Sequence, residues 1–208
     1  MVDQQAFVGV AGIIGVGKTH LTKKLAAAMG AQAYMEPVAE NPYLADFYLD
    51  KPKYGFTMQI YLLNERFRQH QEVVWTRRPA VQDRTIYEDT IFAEMLRDAG
   101  YMTSRDYDTY INLFINMTHF LQRPTVILYL DTSPEHSMKN IKERARGCEV
   151  TMTLEYLRDL QRGYEAWYEK MSNRLTIVRV PWNDFGETQD IPAIVKRYIP
   201  DARWGQKF

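Results

Sequence analysis

Alternating strand and helix patterns predict an α/β domain on a mostly parallel sheet of five strands. Three observations point there. A loop with the spacing G-x-x-x-x-G-K-[ST] joins an apolar run to a helical pattern. Strand-like apolar segments recur between long amphipathic stretches. Residues 125–130 are almost continuously apolar, as a strand covered on both faces should be.

The first strand is expected over residues 6–11. The loop Gly12, Ile13, Ile14, Gly15, Val16, Gly17, Lys18, Thr19 follows it, and Leu21, Leu25, Ala28 and Met29 then share one face of a helix. In that context the loop reads as a phosphate cradle. Its glycines let backbone N–H groups turn inward, and the helix N-terminus adds partial positive charge. Lys18 can reach the β- and γ-phosphates, and Thr19 can offer its hydroxyl to Mg²⁺. Further strands are expected over 32–35, 80–83 and 125–130, and a β-branched one nearer the edge over 175–180. A helix over 54–75 places Phe56, Ile60, Leu63, Phe67 and Val74 near a common face. Another over 105–122 carries a wide stripe of Tyr110, Leu113, Phe114, Met117, Phe120 and Leu121, read as core or as a face for a second subunit. Ser133 before Pro134 reads as a helix N-cap with proline at the first position, the helix running to Arg146 and Gly147.

Composition narrows the function. The 208 residues suit one domain, and 46% hydrophobic with 25% charged content is ordinary for a soluble globule. A formal net charge of zero signals neither nucleic acid nor an anionic membrane as partner. The single cysteine, Cys148, fits a reducing compartment. The N-terminus lacks a basic segment, and the first apolar run is too short for a leader or a membrane span. A cytoplasmic location is expected, or the host cytoplasm for a viral protein.

Ligands of parallel α/β sheets sit outside the carboxyl ends of the strands. The first strand ends in the phosphate loop, the second in Met35-Glu36-Pro37 and the third in Asp83-Arg84-Thr85. All three ends are expected at one crevice. Glu36 can accept a proton from a substrate hydroxyl. Asp83 can help hold Mg²⁺, and Arg84 can pair with Glu36 or with the transferred phosphate. Arg144 and Arg146, beside a Gly-containing loop, suit a lid that closes over phosphates. Gln59 can serve a base edge or a backbone group equally well. Asp131 reads either as a second Mg²⁺ ligand or as a helix cap. No metal-ligand spacing links His20, His70, His119 and His136.

Together these motifs resemble the deoxyribonucleoside kinase family, closest to its bacterial and viral deoxyadenosine/deoxyguanosine kinase branch. The resemblance spans residues 6 to about 180 and rests on the phosphate loop plus four stretches. They are Glu36-Pro37-Val38-Ala39-Glu40-Asn41-Pro42-Tyr43, Phe56-Thr57-Met58-Gln59-Ile60-Tyr61, Asp83-Arg84-Thr85-Ile86-Tyr87-Glu88-Asp89 and Glu143-Arg144-Ala145-Arg146-Gly147-Cys148-Glu149. It implies a P-loop kinase fold with an arginine-bearing lid over about 143–151, the chain forming a single domain over 1–208. It implies Glu36 as the base for the 5′-hydroxyl, Arg84 beside the substrate's 5′ end and Asp83 at the Mg²⁺ shell. Gln59 then reads the base, with Arg66 and Asp89 on its other edge and Phe92 stacked against it. Tyr48 and Glu149 hold the sugar 3′-hydroxyl, while Arg144 and Arg146 cover the phosphates. Many relatives carry a further arginine where this chain has Asn140, so that contact is missing or is taken by Lys139 or Lys142.

The implied reaction moves the γ-phosphoryl of ATP, with Mg²⁺, onto a 2′-deoxynucleoside, purine by branch and with deoxycytidine open. Relatives are usually homodimers. One rival reading is a nucleoside monophosphate kinase resembling thymidylate kinase, against which Glu36 and the Tyr48/Glu149 clamp argue. The other is a catalytically silent nucleotide-binding relative, against which the retained Lys18, Thr19, Glu36 and Arg84 argue.

Overall fold

The computed structural model describes residues 6–36, 41–144, 152–183 and 190–199, the side chain of Arg144 excepted. Five parallel strands, β1 (Phe7–Ala11), β2 (Gln32–Tyr34), β3 (Ala80–Asp83), β4 (Val126–Asp131) and β5 (Ile177–Pro181), lie in the order β2-β3-β1-β4-β5. This is the α/β architecture expected from the alternating patterns. β1 sits at the centre with every residue buried, and β4 is buried from Val126 to Leu130. β5 is an edge strand, as its mixed composition implies.

The helices are α1 (Lys18–Met29), α2 (Leu44–Leu49), α3 (Lys51–Thr76), α4 (Asp89–Asp98), α5 (Ser104–Thr118), α6 (Pro134–Arg144), α7 (Leu154–Met171) and α8 (Ile191–Lys196), with a 3₁₀ turn over Ile86–Glu88. Local chemistry fixes their ends. Asp50 caps α3 by accepting from the Lys53 N–H at 3.1 Å. The Ser133 hydroxyl accepts from His136 N–H at 3.2 Å, so α6 starts at Pro134 as expected; it is described as far as Arg144, and the expected end at Arg146 and Gly147 lies outside the described residues. Thr85 and Glu88 form a reciprocal capping box around the 3₁₀ turn.

Two helices differ from expectation in what they bury. On α3 the buried line is Met58, Gln59, Leu62, Leu63, Arg66, His70 and Val73, so Leu63 alone of the expected apolar face is fully buried. This face borders the ligand cleft, where polar groups are buried in pairs, and a count of apolar residues passes over it. On α5 only Tyr110 of the expected stripe is fully buried, and Phe120, beyond the helix end, is 89% exposed. Ser133, not Asp131, supplies the cap of α6. Asp131 accepts from Arg179 Nε at 2.9 Å, an ion pair between β4 and β5.

Candidate active site

The strand order sets β2, β3 and β1 side by side, so their carboxyl ends open onto one cleft of about 1530 Å³. That exceeds the roughly 300–1,000 Å³ of a single small-molecule pocket, leaving room for two ligands. Gly15, Lys18, Glu36, Gln59, Arg84 and Phe92 all line it.

The loop after β1 leads into α1. Gly15 has a φ of 85°, and a Cβ there would lie 2.7 Å from the Ser137 carbonyl, so only glycine fits. Asn140 on α6 donates to the Gly15 carbonyl at 2.9 Å. In place of an arginine aimed at phosphate, this chain has an amide that ties α6 to the loop. Lys139, the expected substitute, is exposed and 3.9 Å from Glu143, and Lys142 is exposed. Lys18 is folded back on the loop, its Nζ donating to the carbonyls of Gly12 at 3.0 Å and Ile13 at 2.9 Å. Burial, helped by the nearby Arg84 charge, lowers its pKa to about 8.

At the end of β3, Asp83 Oδ2 accepts from Thr19 Oγ1 at 2.5 Å. Asp83 Oδ1 is buried without a hydrogen-bond partner. Burial raises the Asp83 pKa. A hydroxyl and an orphaned carboxylate oxygen beside a phosphate loop match the hard oxygen donors that Mg²⁺ takes. Among the described residues no cluster of three His, Cys, Asp or Glu forms a protein-only metal cage.

Arg84 follows with φ at 70°, a left-handed conformation unusual for a non-glycine residue. Its Nε lies 3.0 Å from Glu36 Oε1, and Arg66 Nη2 donates to the same oxygen at 2.6 Å. Burial alone would raise the Glu36 pKa, but Arg84 and then Arg66 outweigh it and hold the carboxyl down to about 2. Gln69 donates to the Met35 carbonyl at 2.9 Å and so pins the chain just before Glu36. The other end of the Arg66 guanidinium donates to Asp89 at the start of α4. Burial pushes Asp89 up to about 7 against the pull of Arg66.

Gln59 is buried on α3 with Oε1 unpartnered. Tyr48 lines the same cleft, and the Arg84 guanidinium lies 4.8 Å over the Phe92 ring. The expected lid residues Arg146 and Glu149 lie outside the described residues, as does the Arg144 side chain. Two buried residues went unassigned by the sequence reading: Glu88, and Tyr164 on α7. Arg84 Nη1 donates to the Tyr164 hydroxyl, which donates to Glu88. Tyr164 sits 80 residues from Arg84. The regular spacing of Leu157, Leu160, Tyr164 and Trp167 after Thr153 was the available signal for its helix.

A phosphate loop beside an acidic strand end and a carboxylate gripped by two arginines defines a nucleotide-using phosphotransferase of the P-loop class. The deoxynucleoside kinase family model matches residues 8–198. The chain belongs to the deoxynucleoside kinase family. It is 44% identical over 197 residues to a deoxyadenosine kinase of Dictyostelium discoideum, covering 95% of this chain and 80% of that one. A deoxyadenosine/deoxycytidine kinase of Bacillus subtilis is 40% identical over 169 residues, covering 80% and 78%. A solved structure of deoxyadenosine kinase from M. mycoides with bound dATP superposes with a TM-score of 0.81 at 29% identity, covering 91% of this chain and 97% of that one.

Proposed function

We propose that this kinase transfers the γ-phosphoryl of ATP to the 5′-hydroxyl of a 2′-deoxynucleoside, with deoxyadenosine the favoured acceptor. The observation that carries this reading is Glu36 Oε1 held between Arg66 and Arg84 in the cleft that Lys18 also lines. The relatives named deoxyadenosine kinase support the acceptor. Deoxyguanosine and deoxycytidine are the next candidates, the latter because the B. subtilis relative is named for both.

The triphosphate lies in the loop, and Lys18 leaves the Gly12 and Ile13 carbonyls for the β- and γ-phosphates. The 5′-hydroxyl donates to Glu36, which aims it in line with the γ-phosphorus. The O5′–Pγ bond forms as the bond from Pγ to the β-phosphate oxygen breaks, and ADP departs. A carboxylate at so low a pKa is a weak base, but in a loose transition state the alcohol proton leaves late and positioning dominates. Incoming phosphate oxygens also compete for Arg84, which frees Glu36 to take the proton. Thr19 and Asp83 would hold Mg²⁺, which would offset the negative charge of the phosphates.

Gln59 would pair with the base edge, Arg66 and Asp89 with its other edge, and Phe92 with its face. Tyr48 and Glu149 would hold the 3′-hydroxyl, with residues 143–151 and their Arg144 and Arg146 as a lid on a single domain. The protein would work as a homodimer in the cytoplasm, or in a host cytoplasm if viral, in nucleotide salvage. No helix among the described residues is long and apolar enough to cross a membrane.

The test is a turnover panel of dA, dG, dC and dT, and of the corresponding monophosphates, each with Mg·ATP. Turnover of nucleosides with deoxyadenosine fastest is the expected result. Turnover of the monophosphates alone would replace this reading with a nucleoside monophosphate kinase.

A further inference from the structure

We propose that Glu88 and Tyr164 are positioning residues for Arg84, a buried pair that fixes its guanidinium between Glu36 and the transferred phosphoryl group. The inference rests on the function proposed above.

Arg84 is only 1% exposed and sits at a strained φ of 70°. Such a backbone persists only when its surroundings over-determine it, and the surroundings here are specific. The Tyr164 hydroxyl accepts from Arg84 Nη1 and donates to Glu88 Oε2. Glu88 Oε2 also lies 3.4 Å from Nη1, and Glu88 Oε1 accepts from the Thr85 N–H at 2.9 Å. Nη1 is thereby held from behind while Nε faces Glu36. Among the described residues no hydrogen bond or ion pair is made by Nη2, and Arg84 lines the cleft. A guanidinium hydrogen-bonded at Nη1 and ion-paired to Glu36 on its Nε side has little rotational freedom left to lose when phosphate arrives.

Tyr164 is itself held. Its ring stacks on Tyr129 with centroids 5.7 Å apart, and Trp167, one turn on, meets it edge-on at 6.0 Å. Trp167 Nε1 donates to the Tyr87 carbonyl at 2.7 Å, a second tie from α7 to the turn after Arg84. Tyr129 reaches Glu165 at 3.1 Å, which in turn binds Arg179 at 2.8 Å. The aim of Arg84 therefore depends on a helix that joins the site only through tertiary packing.

The test is a double-mutant cycle on deoxyadenosine phosphorylation. Tyr164→Phe and Glu88→Gln keep side-chain size, and thermal unfolding reports whether each folds. Each is expected to lower kcat about tenfold, with KM for deoxyadenosine within about threefold of wild type. In an Arg84→Lys background the same changes should cost less than about twofold, because their effect runs through Arg84. An unchanged kcat, or the same loss in both backgrounds, overturns the proposal and leaves a purely structural pair. NMR of the arginine side chains reads the arrangement even if deoxynucleosides are not turned over. Slow guanidinium rotation at Arg84 in wild type that quickens in Tyr164→Phe is expected, and equal rotation in the two proteins overturns the proposal.

Discussion

Lys18 should give ATP binding a pH dependence. Buried and beside the Arg84 charge, its ammonium has a pKa lowered to about 8 in the ligand-free site. Its protonated form attracts phosphate, so the form that binds is present below that pH and lost above it. We expect kcat/KM for ATP to fall by about tenfold per pH unit above about pH 8. The kcat should stay flat over the same range, because bound phosphates raise the lysine pKa again. Paired pH profiles check this, and a flat kcat/KM would show that Lys18 stays charged throughout. Among single residues, the phosphate loop, Glu36 and the Asp83-Arg84 pair were legible because each follows a strand-like run at a recognisable spacing. Glu88 and Tyr164 were not, because their partnership lies in a contact 76 residues apart along the chain.

Elements carry a second layer of specificity. α7 approaches α4 at Gly163, where an added Cβ would lie 2.7 Å from Ile91 Cγ2. Ile91 is β-branched and fully packed, so its methyl has little room to yield. Gly163→Ala should therefore destabilise, since overpacking costs about 1–3 kcal/mol against the roughly 1 kcal/mol that alanine gains over glycine within a helix. The next residue is Tyr164, so kcat should fall with Tm. Thermal unfolding and steady-state rates measure both, and a raised Tm with unchanged kcat would show that the helices part without consequence. The periodicity that located α3 and α5 also misjudged their buried faces. On α3 the buried line includes Gln59 and Arg66, which face the cleft, and His70, which does not. His70 is buried by bonding the Gln122 carbonyl at 2.7 Å and packing edge-on to Phe7. Polar residues in a buried line are invisible to an apolar count until their partners are known.

At the scale of the molecule, the alternation of patterns sufficed for five parallel strands, and the crevice at three adjoining strand ends follows from β3 lying between β2 and β1. What covers α3 and α5 does not follow from one chain. Trp75 is 74% and Phe120 89% exposed, beside Phe67, Val74, Met117 and Leu121 in one groove. A face of this kind is costly in water unless a second surface covers it. Light scattering should give twice the 24.5 kDa of one chain, and Trp75→Glu with Phe120→Glu should return it to one. A wild-type monomer at micromolar concentration would remove the homodimer.

On the function proposed above, the decisive step is the passage of the acceptor alcohol's proton to Glu36, held by Arg66 and Arg84. It is tested most directly by single-turnover transfer from γ-labelled ATP to deoxyadenosine in Glu36→Gln, with deoxyadenosine Kd measured alongside. We expect the transfer rate to drop at least about 100-fold, with Kd within about threefold of wild type. Phosphoryl transfer by the variant within twofold of the wild-type rate would show that Glu36 does not take the proton.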